Sequence, residues 1–151
     1  MAKGSVNIEG LEAFRRKMEE QLTGSNLQAF IESCAKEIAA RLLAKVIKRT
    51  PVGRYPKGSG KKGGTLRRGW TAGNQQNARG MKVVRSGNVY VIEIVNPVEY
   101  APYVEYGHRT IGGRGWVEGR FMLTISAKEI QADAPRILEQ KLKRKLEECF
   151  K

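Results

Sequence analysis

The first half of the chain contains two stretches in which apolar residues recur every three or four positions, as on one face of an α-helix. The shorter runs from Leu11 to Leu22 and the longer from about Leu27 to Arg49. Gly24-Ser25-Asn26 separates them, and Ser25 or Asn26 is expected to cap the longer helix. Pro51 ends it, because proline disfavours helical geometry in the residue before it. The stripe expected to face the core comprises Leu27, Phe30, Ile31, Cys34, Ile38, Leu42 and Val46.

Alternating apolar and polar positions in the middle of the chain predict β-strands. Thr65–Thr71 is the weaker candidate, and Met81–Arg85 followed by Val89–Val95 is the stronger. Ser86-Gly87-Asn88 between the last two predicts a hairpin, since glycine and asparagine tolerate the positive φ that such turns require.

A last helical region is expected to start near Arg120. Its interior contains Pro135, so either one kinked helix or two consecutive helices satisfy the pattern. A small antiparallel sheet of three to four strands, packed with the long helix and this C-terminal helix, gives an α+β fold. A chain of 151 residues is expected to form a single domain over residues 1–151.

Residues Gly53–Gly64 are predicted to form a mobile basic loop, with five glycines, four basic residues and almost nothing to bury. Within it, Gly58–Gly63 matches the spacing G-x-G-x-x-G. A dinucleotide-binding loop must follow a strand and open a helix, whereas this stretch is predicted to follow a helix and precede a strand. The loop is therefore not interpreted as a nucleotide site.

The net charge of the chain indicates which kinds of partner it could bind. Lys and Arg total 28 against 15 Asp and Glu, a formal charge of +13 that favours an acidic partner, either nucleic acid or a negative protein surface. Cys34 and Cys149 lie far apart and lack the paired spacing of a zinc site, which predicts two reduced thiols. We expect neither a secretion signal nor a membrane span, because no apolar run is long enough.

The single histidine limits the catalytic chemistry that is open to this chain. Glu99, Glu105 and His108 lie close in sequence, but they lack the further ligands of a metal site, so no cofactor or metal is expected. The structural interpretation is favoured, in which Glu105 accepts hydrogen bonds and His108 follows a turn at Gly107. Hydrolase triads and multi-histidine metal sites are accordingly poor fits.

Three tyrosines, Tyr100, Tyr103 and Tyr106, repeat at intervals of three. On a helical turn they would line one face, where they could fill a core or a protein interface, or stack nucleic-acid bases beside nearby arginines. Core or interface is the favoured interpretation, because no nucleic-acid recognition motif accompanies them.

Several segments together resemble the tail-completion, or head-tail joining, proteins of long-tailed bacteriophages and prophages. The resemblance covers roughly residues 10–150, and Asn96–His108 is its most specific part. In relatives, the glycine after Thr-Pro-Val lies only a few residues from the Leu-Arg pair, whereas here Gly53–Gly64 lengthens that link. The resemblance rests on Thr50-Pro51-Val52, Leu66-Arg67-Arg68-Gly69-Trp70, Asn96–His108 and Gly115–Leu123.

The resemblance implies a structural virion protein of the neck with no catalytic activity, assembled in the host cytoplasm. It implies a ring homo-oligomer, six-fold or twelve-fold, between portal, adaptor or stopper proteins and tail-terminator or tail-tube proteins, with non-specific contact to packaged DNA and none to a membrane. The alternative is a non-specific basic nucleic-acid-binding protein. The interface candidates are Tyr100, Tyr103, Glu105, Tyr106, His108, Trp116, Lys61, Lys62, Arg67 and Arg68.

Overall fold

The computed structural model of the chain describes residues 9–77, 80–87 and 89–148, and within them it has an α+β fold, as predicted. The helices are α1 (Glu9–Leu22), α2 (Gly24–Arg49), α3 (Thr65–Gly69), α4 (Ala101–Tyr106) and α5 (Met122–Glu148). The strands are β1 (Thr71–Ala72), β2 (Val84–Ser86), β3 (Val89–Val91), β4 (Ile94–Val95), β5 (Gly107–Arg109) and β6 (Trp116–Glu118). No helix in these ranges is long and apolar enough to cross a membrane.

The long helices α2 and α5 pack side by side and form the frame of the fold. Near the start of α5, Glu129 accepts hydrogen bonds from Lys45 Nζ at 3.0 Å and Arg49 Nη2 at 2.7 Å. Further along α5, Lys141 Nζ donates to Glu37 Oε2 at 2.8 Å. The late residues of α2 thus meet the early residues of α5, so the two helices run antiparallel. Their buried apolar side chains include Leu43, Val46, Met122, Ile130 and Ile137.

The strands form three two-stranded antiparallel ladders. β1 pairs with β4 and β2 pairs with β3, and Gly73 joins these two ladders by donating to Glu93 O at 2.8 Å and accepting from Lys82 N at 3.0 Å. The hairpin predicted between Met81 and Val95 is therefore confirmed, with Asn88 of its turn outside the described residues. β5 and β6 form a separate hairpin that follows α4. The core cluster is formed by buried side chains of α2 together with Leu66, Trp70, Ala72, Met81, Ala101 and Met122.

The strand predicted over Thr65–Thr71 is wrong for most of its length. Residues Thr65–Gly69 form the one-turn helix α3, in which Arg68 N donates to Gly64 O at 2.9 Å. A stretch of five residues is too short for alternation to distinguish a strand from a turn of helix. Only β1 remains extended.

The ends of α2 agree with the sequence at one end only. The helix stops before Pro51, as predicted, and Thr50 adopts extended geometry with ψ 126°. At the other end, Thr23 is the N-cap residue and neither Ser25 nor Asn26 caps the helix. The Asn26 side chain instead donates to the last turn of α1, at Glu20 O, 2.7 Å away.

The C-terminal region forms the single helix α5, with Pro135 inside it. This resolves the choice between one helix and two. Proline has no N–H to donate, so α5 forgoes one backbone hydrogen bond at this point. Cys149 of the predicted helical pattern lies outside the described residues.

Candidate interaction surfaces

The motif around Thr50 forms a hydrogen-bonded junction inside the fold. The indole Nε1 of Trp70 donates to Thr50 Oγ1 at 2.7 Å, and that hydroxyl donates to Val46 O at 2.6 Å. Arg67 donates to Thr50 O through both Nε, at 3.0 Å, and Nη2, at 2.7 Å. These hydrogen bonds therefore join the Thr-Pro-Val segment to the Leu-Arg-Arg-Gly-Trp segment. The Arg67 side chain is half-buried where it binds Thr50 O.

Asn96 extends the same junction to the start of the next segment. Its Nδ2 donates to Leu66 O at 2.7 Å, and its Oδ1 accepts from Val98 N at 3.2 Å. A Cβ at position 69 would lie only 2.4 Å from Asn96 Oδ1, which explains why glycine occupies this position. Asn96 thus links α3 to the chain that leads into α4.

Glu105 is buried and caps the N-terminus of α5. Its carboxylate accepts hydrogen bonds from Leu123 N at 3.0 Å, Thr124 N at 2.9 Å and Thr124 Oγ1 at 2.7 Å. The first N–H groups of a helix have no partner within the helix and favour a negative charge. Glu105 meets both needs, so its role in this chain is to join α4 to α5.

His108 lies on β5 directly after Gly107, whose φ of 88° makes the predicted turn. Its ring is half-buried and meets Tyr103 edge-on, with ring centroids 6.0 Å apart, while Nδ1 has no hydrogen-bond partner among the described residues. Within the ranges that the structure describes, no three His, Cys, Asp or Glu side chains are grouped as a metal site. The recorded side-chain contact of His108 is therefore an aromatic ring.

The predicted aromatic interface is divided by the β5–β6 hairpin. Tyr103 and Tyr106 on α4 are 58% and 64% exposed, and Trp116 on β6 is 55% exposed. In the ladder, His108 pairs with Val117 and Arg109 pairs with Trp116. Successive side chains of a strand point to opposite faces, so Tyr103 and His108 lie on one face of the hairpin and Trp116 on the other. We call these the tyrosine face and the tryptophan face.

Tyr100 belongs to neither face. It lines a small pocket under the Gly53–Gly64 segment, together with Tyr55, Lys62 and Val104. The sequence grouped the three tyrosines by their spacing, but α4 begins only at Ala101, so Tyr100 precedes the helix.

The four predicted basic residues also separate. Lys61 and Lys62 are exposed, and Lys61 Nζ lies 5.8 Å from the ring centre of Tyr55. Arg68 is exposed and donates to Gly63 O at 3.3 Å, whereas Arg67 is bound to Thr50 as described above. Of these four residues, the exposed ones are therefore Lys61 and Lys62 on the loop and Arg68 at its border.

The Gly53–Gly64 segment is a loop, as predicted, and its two ends meet. A Cβ at position 63 would lie 1.9 Å from Gly53 O, so only glycine permits this approach. Gly58-to-Gly63 does precede a helix, contrary to the expectation of a strand, but α3 has only five residues and the loop follows α2. The arrangement of a dinucleotide-binding loop, strand before and long helix after, is not met.

An apolar groove lies along the middle of α2, from Ile31 to Leu42, and was not predicted as a site. It measures about 550 Å³ and is open to solvent. Burial in its wall raises the pKa of the Cys34 thiol. The signal in the sequence is the long stripe of α2, of which Leu27 and Ile31 remain 38% and 37% exposed. The groove is lined by Ile31, Cys34, Ala35, Ile38, Ala39, Leu42, Val89, Tyr90, Ile92, Ile94 and Leu138.

The chain matches a family of known proteins. A family model, HK97-gp10-like, described as "Bacteriophage HK97-gp10, putative tail-component", matches residues 12–107. No curated protein and no solved structure matches the chain. The matched range covers more than half of the chain and includes the Thr50 junction, Asn96 and α4. The chain therefore belongs to the HK97-gp10-like family of bacteriophage tail components, in agreement with the resemblance seen in its sequence.

Proposed function

We propose that this chain is a structural protein of the phage neck, a single domain that forms a ring, completes the tail and joins it to the head connector. The family match to a tail component is the observation that carries this proposal. The neighbours would be a portal, adaptor or stopper protein on the head side and a tail-terminator or tail-tube protein on the other. The site of action would be the virion, after assembly in the host cytoplasm.

The two faces of the β5–β6 hairpin support the ring. In a closed ring each subunit contacts two neighbours through two different patches of its surface. Tyr103 and Tyr106 on one side and Trp116 on the other supply two unlike apolar patches, and the hairpin tip adds Ile111, which is fully exposed. Tyrosine and tryptophan are enriched where interfaces gain most of their energy.

A role without catalysis is part of the same proposal. Thr50, Asn96 and Glu105 form hydrogen bonds with other groups of the same chain. The His108 ring contacts the aromatic ring of Tyr103. A general base requires a second group that orients it and a place for substrate. We expect His108→Ala to change folding or assembly only. Stoichiometric metal bound by the purified protein and lost in His108→Ala would contradict this.

Electron microscopy of particles from a deletion strain tests the function. We expect filled heads and finished tails to accumulate separately, because the joining contacts are missing. Docking through a ring multiplies weak contacts, so loss of a single type of contact is amplified. Normal numbers of joined, infectious particles from the deletion strain would contradict the proposal.

Complementation of the deletion strain tests the two faces. Tyr103→Ala and Trp116→Ala should each reduce joined particles at low and high salt, since apolar contacts are not screened by ions. Tyr55→Ala is the matched control, because Tyr55 is also an exposed aromatic, at 48%, but lies on the loop. Equal effects of all three substitutions would remove the support that the hairpin gives to the ring.

A further inference from the structure

The net positive charge of this chain comes from one segment. Between Ile38 and Ile92 there are thirteen Lys and Arg residues and no Asp or Glu. This segment alone accounts for the whole formal charge of +13, since the remaining residues contain fifteen basic and fifteen acidic side chains. The rest of the chain is therefore neutral overall, and this one segment is strongly cationic.

Described carboxylates pair with only three cations of this segment, all of them on α2. Arg41 pairs with Glu37, and Lys45 and Arg49 pair with Glu129. The other described cations of the segment form no ion pair with a described carboxylate: Lys48, Arg54, Lys57, Lys61, Lys62, Arg67, Arg68, Lys82 and Arg85. All of these except Arg67 are exposed.

Five of the exposed cations lie on or beside one closed loop, which we call the cationic loop: Arg54, Lys57, Lys61, Lys62 and Arg68. Gly63 lies close to Gly53 O, so the two ends of the loop are adjacent. Arg68 donates a hydrogen bond to Gly63 O, which places its side chain beside the same two ends. Like charges on one short loop repel one another, and a bound polyanion relieves this repulsion.

We propose that the cationic loop binds the phosphate backbone of double-stranded DNA without reading its sequence. Between Arg54 and Gly64 the only apolar side chains are Tyr55 and Pro56, so this surface lacks the extended apolar centre of a protein interface. Residues 53–64 contain no helix or strand that could enter a groove and read bases, and α3 beside them has only five residues. Lysines and glycine N–H groups, which the loop does present, are the usual partners of phosphate oxygens.

This inference goes beyond the joining function and does not depend on ring formation. It requires only that the folded chain present the cationic loop to DNA. Particle joining and DNA binding are measured in separate experiments, so either result can fail without the other.

A binding titration with the purified full-length chain tests the proposal. The probe is a fluorescent duplex of random sequence, about 25 base pairs long, titrated at several salt concentrations. The variant is Lys57→Gln/Lys61→Gln/Lys62→Gln. The matched control is Lys128→Gln/Lys143→Gln/Arg144→Gln, which removes the same charge from exposed positions on α5.

The plot of log K against log salt has a negative slope, and each phosphate contact that is lost reduces the magnitude of this slope by about 0.9. We therefore expect the loop variant to lose about two to three units of slope and at least tenfold in affinity at low salt. The α5 control should keep most of both. A second duplex of unrelated sequence should bind the parent chain equally well.

Lysine acetylation of the unmodified chain provides a measurement that does not depend on how a variant folds. DNA should protect Lys57, Lys61 and Lys62 and leave Lys128 and Lys143 reactive. Equal losses in the two triple variants, or no protection of the loop, would overturn the proposal. So would poly-glutamate that competes as strongly as DNA at equal charge, because the partner would then be an acidic protein.

Discussion

At the scale of single residues, a few polar side chains join segments that are distant in sequence. Thr50 ties the end of α2 to Trp70, Asn96 ties α3 to the entry of α4, and Glu105 ties α4 to α5. Buried polar groups are costly unless they are paired, so each of these side chains also restricts the chain to one arrangement.

The cap made by Glu105 gives a first prediction. Glu105→Ala should lower the free energy of unfolding by about 2–3 kcal/mol, because it removes charge-assisted bonds and leaves the N-terminus of α5 unpaired. Denaturant unfolding measures this. Glu118→Ala, at an exposed position on β6, is the control and should cost less than about 0.5 kcal/mol. Equal losses for the two variants would show that the cap is not important.

The residue roles were only partly visible in the sequence. The hydrogen-bonding role of Glu105 was predicted, because the residues near it in sequence do not complete a metal site or a catalytic site. A structural role was therefore the favoured interpretation. The roles of Thr50 and Arg67 were not predicted, since their partners lie seventeen to twenty residues away and the fold brings them together. Arg67 illustrates the limit, because a surface cation and a half-buried one have the same sequence context.

At the scale of elements, the long helices were predictable, and the buried face of α2 was predictable only in part. Periodicity is a local property, so α2 and the C-terminal helical region followed from the sequence. Which face packs depends on what the rest of the chain places against it. Val46 of the predicted stripe is buried, but the other two buried positions, Ala39 and Leu43, lie outside the stripe. Ile31, Cys34, Ile38 and Leu42 of the stripe line the open groove.

This division of α2 gives a second prediction. Leu43→Ala should lower the free energy of unfolding by about 2–4 kcal/mol, because Leu43 is 3% exposed and its loss leaves a cavity. Ile31→Ala should cost about 1 kcal/mol or less, since water already reaches that side chain. Thermal melts of both variants provide the measurement, and a cost for Ile31→Ala as large as that for Leu43→Ala would contradict the open groove.

The ion pairs between α2 and α5 give a third prediction, on pH. The hydrogen bond from Lys141, with Arg41 adding to it, lowers the pKa of Glu37, and the bond from Lys45 lowers that of Glu129. Below a pH of about 4.3 the unfolded chain takes up protons at these carboxyls before the folded chain does. The stability they contribute is therefore present at neutral pH and is lost as the pH falls through the folded values.

Urea unfolding at pH 7 and pH 3 checks this. The double variant Glu37→Gln/Glu129→Gln should be less stable than the parent at pH 7, and this difference should be smaller at pH 3. Glu139→Gln, at an exposed position of α5, should match the parent at both values. A difference between parent and double variant that does not change with pH would exclude the ion pairs as its cause.

At the scale of the whole molecule, the fold separates a braced body from a loop with little to hold it. The α2–α5 pair and the junctions at Thr50 and Glu105 brace the body. From Lys57 to Lys62, the described contacts of the loop are one turn hydrogen bond, one Ser59 contact and the Lys61–Tyr55 pair. Regions with few buried contacts open at low cost in free energy.

Hydrogen exchange gives the fourth prediction. In the isolated chain the amides of residues 57–63 should exchange rapidly, and assembly or DNA should slow them. Amides of α2 around Leu43 serve as the protected reference. Strong protection of residues 57–63 in the free protein would show that the loop is ordered before it meets a partner.

The internal use of the motif residues determines how tolerance to mutation should be distributed. A saturation library selected only for soluble, folded protein should already deplete substitutions at Thr50, Trp70, Asn96 and Glu105. Tyr103, Tyr106 and Trp116 should pass that selection and be lost only when the library is selected for infectious particles. The motif positions that are hydrogen-bonded inside the chain would then report on foldability, and the difference between the two selections would map the surfaces that meet other proteins.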